Sequence, residues 1–212
     1  MYIPGAFRET SHAKLFDVIE QNSFGLLVSN FDGAPFATHL PLLLDRTVSP
    51  NGCLIGHMAR ANPQWEQADG QTVLAVFSGP HAYISPTWYE AENVVPTWNY
   101  VAVHAYGTFR AIHERAAMLE IVGKYVDFFE AALPDPWPFD PRGEYAQKFS
   151  GAIVGFQIQI TRLEGKWKLN QNHPRERREK VVRALHASGD AGSRAIAELM
   201  QQQLAEETGR DF

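Results

Sequence analysis

An arginine, an asparagine and a proline stand close together in the stretch GHMARANPQW, residues 56–65. Asn62 is a favoured helix N-cap residue and Pro63 suits the first helical position, so a helix is predicted to begin here and to end at Gly70 after about two turns. The unpaired N–H groups of a first helical turn and a bidentate guanidinium both match phosphate geometry. The stretch therefore indicates a site for a phosphate-bearing ligand with Arg60 as its cation. The alternative is that Arg60 is an ordinary solvated loop residue and Asn62 an ordinary cap.

Four histidines, His39, His57, His81 and His104, lie inside or at the edge of predicted strands. Imidazoles in a barrel raise the question of a metal or haem. The sequence contains no HxxxH or HExxH pairing, and histidines in strands are more often hydrogen-bonded core residues or residues at the edge of a ligand site. No metal site is predicted.

Covalent catalysis is disfavoured, since the chain has no GxSxG motif and its one cysteine, Cys53, lies among apolar residues where a thiol is usually inert. The same count excludes an internal disulfide and a cysteine-based zinc site. A cluster of aromatic residues could stack on a planar ring, although such clusters more often belong to the core or to an interface. Its members are Tyr83, Trp88, Tyr89, Trp98 and Tyr100.

The composition describes a folded protein of 212 residues with 45% hydrophobic and 12% aromatic content. A net charge of −5 argues against a general nucleic-acid or membrane surface. No apolar run is long enough to span a bilayer, and the N-terminus MYIPGAF lacks the succession of a signal peptide. We expect a cytoplasmic protein with no membrane partner.

The first half of the chain is predicted to hold one helix followed by short strands. TSHAKLFDVIEQN has cap candidates and a helical apolar stripe. FGLLVSN and FATHLPLLLD flank the turn FDGAP and are typical of a hairpin, and three further strands are predicted in NGCLIGHM, TVLAVFSG and AYISPTWY. This spacing is what an antiparallel barrel or sandwich needs.

The second half is predicted to hold two long strands and three helices. Gly107 indicates a bulge or bend inside VPTWNYVAVHAYGTFRAI. ERAAMLEIVGKYVDFFE is typical of a helix whose apolar face carries Leu119, Val122, Val126 and Phe129, and the proline-rich ALPDPWPFDPRG cannot continue it. GAIVGFQIQITRL is predicted to be a strand that pairs with KWKLNQN, and two helices follow from Pro174.

Five motifs in order, THLPLLLD, GHMARANPQW, FSGPHAYISPTWY, VPTWNYVAVHAYGTF and GKWKLNQNHP, resemble those of the PaiB family of FMN-binding negative transcriptional regulators. The likeness runs from the N-terminus to about Pro174. It implies a mainly β, α+β fold, an antiparallel, Greek-key-like split β-barrel with peripheral helices and a C-terminal helical pair. It also implies a homodimer with FMN at the subunit interface. Residues 1–173 would form the FMN-binding domain and 174–212 an extension packed on the barrel or the dimer.

The resemblance places the FMN phosphate at His57, Met58, Ala59, Arg60 and Asn62, with Arg60 as the cation. The residues implied for the isoalloxazine and ribityl region are Thr38, His39 and Leu40, and those implied to approach from the partner subunit are Trp98, Asn99 and His104. Residues implied as further site or interface contacts are Lys168, Gln171 and Asn172. The chain has Asn170 where the family motif has serine, which keeps a polar, hydrogen-bonding side chain.

Three classes of function stay open: a transcriptional regulator, a flavin-dependent oxidoreductase acting on a small substrate or a nicotinamide, and a haem-binding split barrel. No catalytic acid or base can be named from the sequence. DNA binding is implied only by the resemblance, because the two C-terminal helices carry six positive and six negative side chains. A DNA-reading helix normally shows a basic face. Apolar residues predict instead that these helices cover the barrel or a dimer seam: Val181, Val182, Leu185, Ile196, Leu199 and Met200.

Overall fold

The computed structural model describes residues 1–208, which form six α-helices, three short 3-10 helices and eight strands. The helices are α1 (His12–Gln21), α2 (Gln64–Ala68), α3 (Arg115–Glu130), α4 (Glu144–Phe149), α5 (Arg175–Ala187) and α6 (Ala191–Thr208), and the 3-10 helices are Gly5–Phe7, Pro86–Tyr89 and Ser150–Ala152. The strands are β1 (Arg8–Glu9), β2 (Phe24–Phe31), β3 (Ala34–Pro41), β4 (Leu43–Asp45), β5 (Cys53–Ala59), β6 (Thr72–Ile84), β7 (Thr97–Ile112) and β8 (Ile153–Lys168). The last four residues of the predicted extension 174–212 lie outside the described part.

All eight strands belong to one sheet, in the order β3-β2-β6-β7-β8-β5-β4, with β1 paired to β8. The pairings β2–β3, β2–β6, β4–β5, β5–β8 and β1–β8 are antiparallel. The predicted hairpin is confirmed: Asp32 and Gly33 turn the chain with φ of 51° and 81°. Two positive φ values in succession are what a two-residue hairpin turn with the twist of its strands requires.

The described residues divide into two compact units. The first unit contains Met1–Leu15, Ser78–Val103 and the chain from Glu164 onward, and the second contains Phe16–Phe77 and His104–Leu163. The strands β6, β7 and β8 each contribute residues to both. The boundary predicted between residues 173 and 174 stays a prediction.

In the second unit, the core under α3 differs from the predicted helix face. The helix buries Met118, Leu119, Ile121 and Tyr125, whereas Phe129 is 45% exposed. Tyr125 and Ile121 form a buried cluster with Leu43 of β4. The prediction from Leu119, Val122, Val126 and Phe129 is therefore right in the helix and only partly right in the face, because Leu119 is buried and Val122 packs against the core, whereas Phe129 is exposed.

In the first unit, α5 and α6 pack on each other along an apolar seam. The buried residues of this seam are Val181, Val182, Leu185, Ile196, Ala197, Met200 and Leu204. The Arg178 guanidinium is 4% exposed and binds both carboxylate oxygens of Glu207, at 2.8 and 2.9 Å. Of the apolar residues predicted to be covered, Leu199 is half-buried and the other five are buried, and Met200 also contacts Asn99 of β7.

Three predicted strand boundaries were wrong. TVLAVFSG and AYISPTWY are not two strands, since β6 continues through Gly79 and Pro80 to Ile84. KWKLNQN does not return to pair with the preceding strand, because β8 runs without a break to Lys168. FATHLPLLLD is divided at Leu42 into β3 and β4. None of the helices within residues 1–208 is long and apolar enough to cross a membrane.

Candidate functional site

Arg60 lies just after β5, and its side chain is held by the backbone that leads into β8. The Nε atom donates to the carbonyl of Gly151 at 2.9 Å and Nη2 donates to the carbonyl of Ile153 at 2.8 Å. The Arg60 backbone N–H also donates to the carbonyl of Ala152 at 2.8 Å. One edge of the guanidinium is thereby oriented, and Nη1 remains to bind an anion.

Asn62 connects the predicted helix start to β3. Its Oδ1 accepts from the backbone N–H of Gln64 at 3.0 Å, and its Nδ2 donates to Thr38 Oγ1 at 3.0 Å. The helix α2 begins at Gln64, two residues after Asn62, and contains five residues before Gly70 with φ of 78°. Asn62 therefore caps the turn as predicted, but a helix this short offers little dipole to a phosphate.

Trp65 is the side chain of α2 that faces the Arg60 loop. Its Nε1 donates to the Arg60 carbonyl at 3.1 Å, and its ring meets the ring of His113 edge-on with centroids 5.8 Å apart. The indole fixes the backbone of the predicted phosphate-binding arginine.

The three residues of β3 predicted to line the flavin ring, Thr38, His39 and Leu40, differ in their exposure. Leu40 is 4% exposed, whereas His39 is exposed and stacks on Phe24 with ring centroids 6.2 Å apart. Phe24 is itself 68% exposed. Thr38 precedes His39 on β3, is half-buried and accepts a hydrogen bond from Asn62 as described, so the strand carries one polar contact beside apolar and aromatic neighbours.

His57 of β5 lies against α3 and contacts Tyr125, with ring centroids 4.8 Å apart and an edge-on geometry. Its Nδ1 is buried and has no hydrogen-bond partner among residues 1–208. The Tyr125 hydroxyl donates towards the carbonyls of Pro41 at 2.6 Å and Ile55 at 3.1 Å, which ties α3 to β3 and β5. Burial lowers the pKa of His57 and raises that of Tyr125. Of the neighbouring site residues, Met58 is buried and Ala59 exposed.

We expect the stability of the flavin-free protein to fall with acid because of His57. With its pKa lowered below the ordinary value near 6.5, the folded protein keeps His57 neutral where the unfolded chain already binds a proton. The free energy of unfolding should therefore rise with pH up to about 6.5 and become insensitive to this group above it. Urea denaturation from pH 5 to 8 measures the slope.

The variant His57→Gln should show a shallower slope than the wild type over that range. The pKa of His173 is also lowered, chiefly by burial, so His173→Gln isolates the second histidine that acts in the same direction. Equal slopes for wild type and His57→Gln would contradict the expectation.

The other site residues predicted from the resemblance, Trp98, Asn99 and His104, differ in their exposure and in their contacts. Trp98 is 54% exposed and contacts the ring of Tyr83 at 5.9 Å and that of His81 at 6.1 Å. Asn99 is fully buried, and its Nδ2 lies 3.4 Å from the sulfur of Met200 in α6. Its side chain therefore faces α6. His104, which belongs to the second unit, is half-buried and near Tyr106.

The KLNQN segment, which begins at the last residue of β8, is held by side-chain hydrogen bonds. Lys168 Nζ donates to Thr97 Oγ1 and to the Trp98 carbonyl, the latter at 2.7 Å, and burial together with Lys166 lowers its pKa. Gln171 accepts from the Leu169 N–H at 2.7 Å, and Asn172 is exposed. Lys168 therefore lies directly beside Trp98, and the role of both as site contacts stays a prediction.

Asn170, the departure from the family motif, has a structural task. It adopts a left-handed φ of 63°, is 2% exposed, and donates from Nδ2 to the Tyr89 hydroxyl at 3.0 Å. Asparagine tolerates this backbone region better than serine does.

The second unit thus brings together Thr38, Asn62 and the Arg60 loop, and the first brings together Trp98 and Lys168. Sequence reasoning missed Tyr125, which has no motif around it and approaches His57 from a helix far along the chain. The donors at Arg60 and the apolar and aromatic neighbours on β3 fit a phosphorylated ring compound such as FMN. Within residues 1–208, no group of histidine, cysteine and acidic residues could hold a metal ion.

Residues 1–162 match the family described as "Putative FMN-binding domain". The chain is 35% identical over 206 residues to "Protease synthase and sporulation protein PAI 2" of Bacillus subtilis, with 96% of this chain and 98% of the relative covered. It is 27% identical over 243 residues to "Uncharacterized protein AN0679" of Emericella nidulans, covering 95% and 97%.

Solved structures share the fold at low identity. The FAD and haem binding protein from Mycobacterium smegmatis superposes with a TM-score of 0.59 at 16% identity, covering 86% of this chain and 80% of the other. The flavocytochrome Anf3 from Azotobacter vinelandii gives 0.58 at 15% identity, covering 76% and 69%. The predicted fold class, a mainly β split barrel with peripheral helices, is confirmed.

Proposed function

The chain belongs to the PaiB family of FMN-binding proteins, and on this premise we propose that it is a homodimeric FMN protein that acts as a negative transcriptional regulator. FMN is its cofactor. The observation that carries the proposal is the family match over residues 1–162. This range includes all the predicted site residues from Thr38 to His104. The regulator and the dimer are the parts we infer.

We propose that Arg60 binds the FMN phosphate while Thr38, His39 and Leu40 line the ribityl chain and the ring. The orientation of the guanidinium by two carbonyls supports this role, because a preoriented cation loses less side-chain entropy on binding. His57, Met58, Ala59 and Asn62 position that arginine from β5 and the following turn. His57 also packs against Tyr125.

A dimer interface is supported by the exposed aromatic residues of the first unit. Trp98 and Tyr83 are 54% and 47% exposed and contact each other. Large aromatic side chains that group on a surface are typical of interfaces. We propose that Trp98 approaches the flavin of the partner subunit together with Lys168, whose Nζ donates to the Trp98 carbonyl, and with Gln171 and Asn172, which follow Lys168 in the chain. Asn99 would shape this surface from beneath, and His104 would approach the flavin from β7.

The alternative is a flavin-dependent oxidoreductase, and the charges of α5 favour it over direct DNA reading. Arg175 pairs with Glu179 at 2.8 Å, Arg178 with Glu207 at 2.8 Å, and Lys180 with Glu90 at 3.0 Å. Cations that are neutralised within the protein contribute little to phosphate-backbone binding. A regulator in which these cations of α5 are paired with carboxylates would act through another surface or through a partner protein.

The test begins with the absorption spectrum, ligand mass and solution mass of the protein purified from the cytoplasm, where we expect it to act. A flavin double band, release of FMN on heating and twice the chain mass support the proposal. An intense Soret band would show that the bound ligand is haem and not FMN. The FMN-loaded protein is then mixed with promoter DNA of its own genome at physiological salt, and with NAD(P)H. A shift of the DNA supports the regulator; turnover without a shift supports the oxidoreductase.

A further inference from the structure

A cavity of about 310 Å³ lies in the second unit beside Arg60, and its charged lining residues are all cations. Arg60 follows β5, Arg115 begins α3 and Lys148 belongs to α4. His113, Gln147 and Ser150 add polar groups, and no carboxylate lines the cavity. Its volume lies at the lower end of the range for small-molecule sites.

The three cations have no counter-ion in the described part of the chain. None of the ion pairs within residues 1–208 includes Arg60, Arg115 or Lys148. Lys148 contacts the ring of its neighbour Phe149, with Nζ 5.8 Å from the centroid. Like charges around one cavity repel each other, and a bound anion removes that repulsion.

Both guanidinium groups are oriented by the same backbone segment. Arg60 donates to the carbonyls of Gly151 and Ile153, and Arg115 donates from Nη2 to the carbonyl of Gln147. Each keeps further N–H groups for a ligand, since a guanidinium has five donors. One guanidinium held by two carbonyls, a second held by one carbonyl and one ammonium are a donor set suited to the three oxygens and the double charge of a phosphate monoester.

We propose that this cavity binds a phosphate monoester, with Arg115 and Lys148 as ligand-binding residues beside Arg60. Both lie outside the five motifs that carry the family resemblance. The phosphate has two sources: the 5′-phosphate of FMN, which reaches Arg60 and rests on the proposed function, or a separate phosphorylated metabolite that binds while FMN is present. The chemistry of the pocket is the same in both cases.

The variants Arg115→Gln and Lys148→Gln remove one charge each, and Lys124→Gln is the matched control because it lies on α3, is exposed and does not line the cavity. Flavin-free protein is titrated with FMN and with riboflavin by fluorescence. FMN-loaded protein is dialysed against radiolabelled inorganic phosphate. Circular dichroism checks that each variant is folded, and Lys148→Gln alone carries the test if Arg115→Gln is not.

If FMN supplies the phosphate, both variants should weaken FMN binding about tenfold and leave riboflavin binding and the control unchanged. If the phosphate is separate, FMN affinity is unchanged, whereas saturable phosphate binding by the FMN-loaded wild type is lost in both variants. Unchanged FMN affinity together with no saturable phosphate binding overturns the proposal. If the wild type binds no flavin, the proposed function is overturned but the phosphate-binding proposal is not. Dialysis of that flavin-free protein against phosphate then tests whether the cavity binds phosphate.

Discussion

Arg60→Ala should weaken FMN binding by about 1.5–3 kcal/mol, or roughly 10- to 150-fold in Kd. The loss has two physical origins. The phosphate loses a charge-assisted hydrogen bond, and the carbonyls of Gly151 and Ile153 lose the donors that orient their loop. Fluorescence titration of flavin-free protein with FMN measures the sum.

Riboflavin separates the two origins, because it lacks the phosphate and senses only the loop. We expect its affinity to change much less than that of FMN. Arg60→Lys keeps the charge without the planar fork, so its FMN affinity should lie between those of wild type and alanine. Equal losses for FMN and riboflavin would show that Arg60 supports the loop and does not bind phosphate.

Gly107→Ala should destabilise the protein by about 3 kcal/mol, within the upper range for overpacking in a core. A Cβ at this position would lie 2.4 Å from the carbonyl oxygen of Gln159 and 2.7 Å from Cγ2 of Ile158. Backbone of the neighbouring strand cannot move aside as a flexible side chain can. Urea denaturation should show a lower midpoint, and a thermal midpoint lower by roughly 6–12 °C is expected for a chain of this size.

Gly123→Ala is the matched control and should have the opposite sign. Gly123 lies inside α3, and an added Cβ would meet Phe139 at 3.7 Å, an ordinary contact. Alanine in a helix interior gains about 0.5–1 kcal/mol over glycine. A Gly107→Ala variant as stable as the wild type would mean that β7 and β8 separate without cost at this point.

The hairpin and five of the six helices of residues 1–208 were predictable from sequence because local signals specify them, whereas α4 (Glu144–Phe149) was missed. The turn Asp32–Gly33 and the apolar stripe of α1 act within a few residues. Two of the three strand errors lie at glycines that stand inside a strand, Gly79 in β6 and Gly165 in β8. A Cβ at Gly165 would lie 2.2 Å from Leu15 and one at Gly79 would lie 3.2 Å from Val101, so close packing favours glycine at both positions. Pro80 is tolerated beyond the residues of β6 that pair with β2.

Of the candidate site, the sequence predicted the parts that lie on one motif and missed those that converge from several. Asn62 caps the turn after β5 as its residue type indicates. Arg115 and Lys148 join Arg60 only because α3 and α4 return to the end of β5. Tyr125 reaches His57 in the same way, from the helix face that periodicity assigned differently. Such convergence is a tertiary property with no local signal.

The contact of Trp65 with the Arg60 loop gives the protein a built-in optical reporter. The indole donates to the Arg60 carbonyl and meets His113 edge-on, so its emission should respond to movement of this backbone and to the charge of that imidazole. The chain has five tryptophans, and subtracting the emission of Trp65→Phe isolates this one. Occupancy beside Arg60 can then be followed in real time, without a label and without relying on the colour of the flavin.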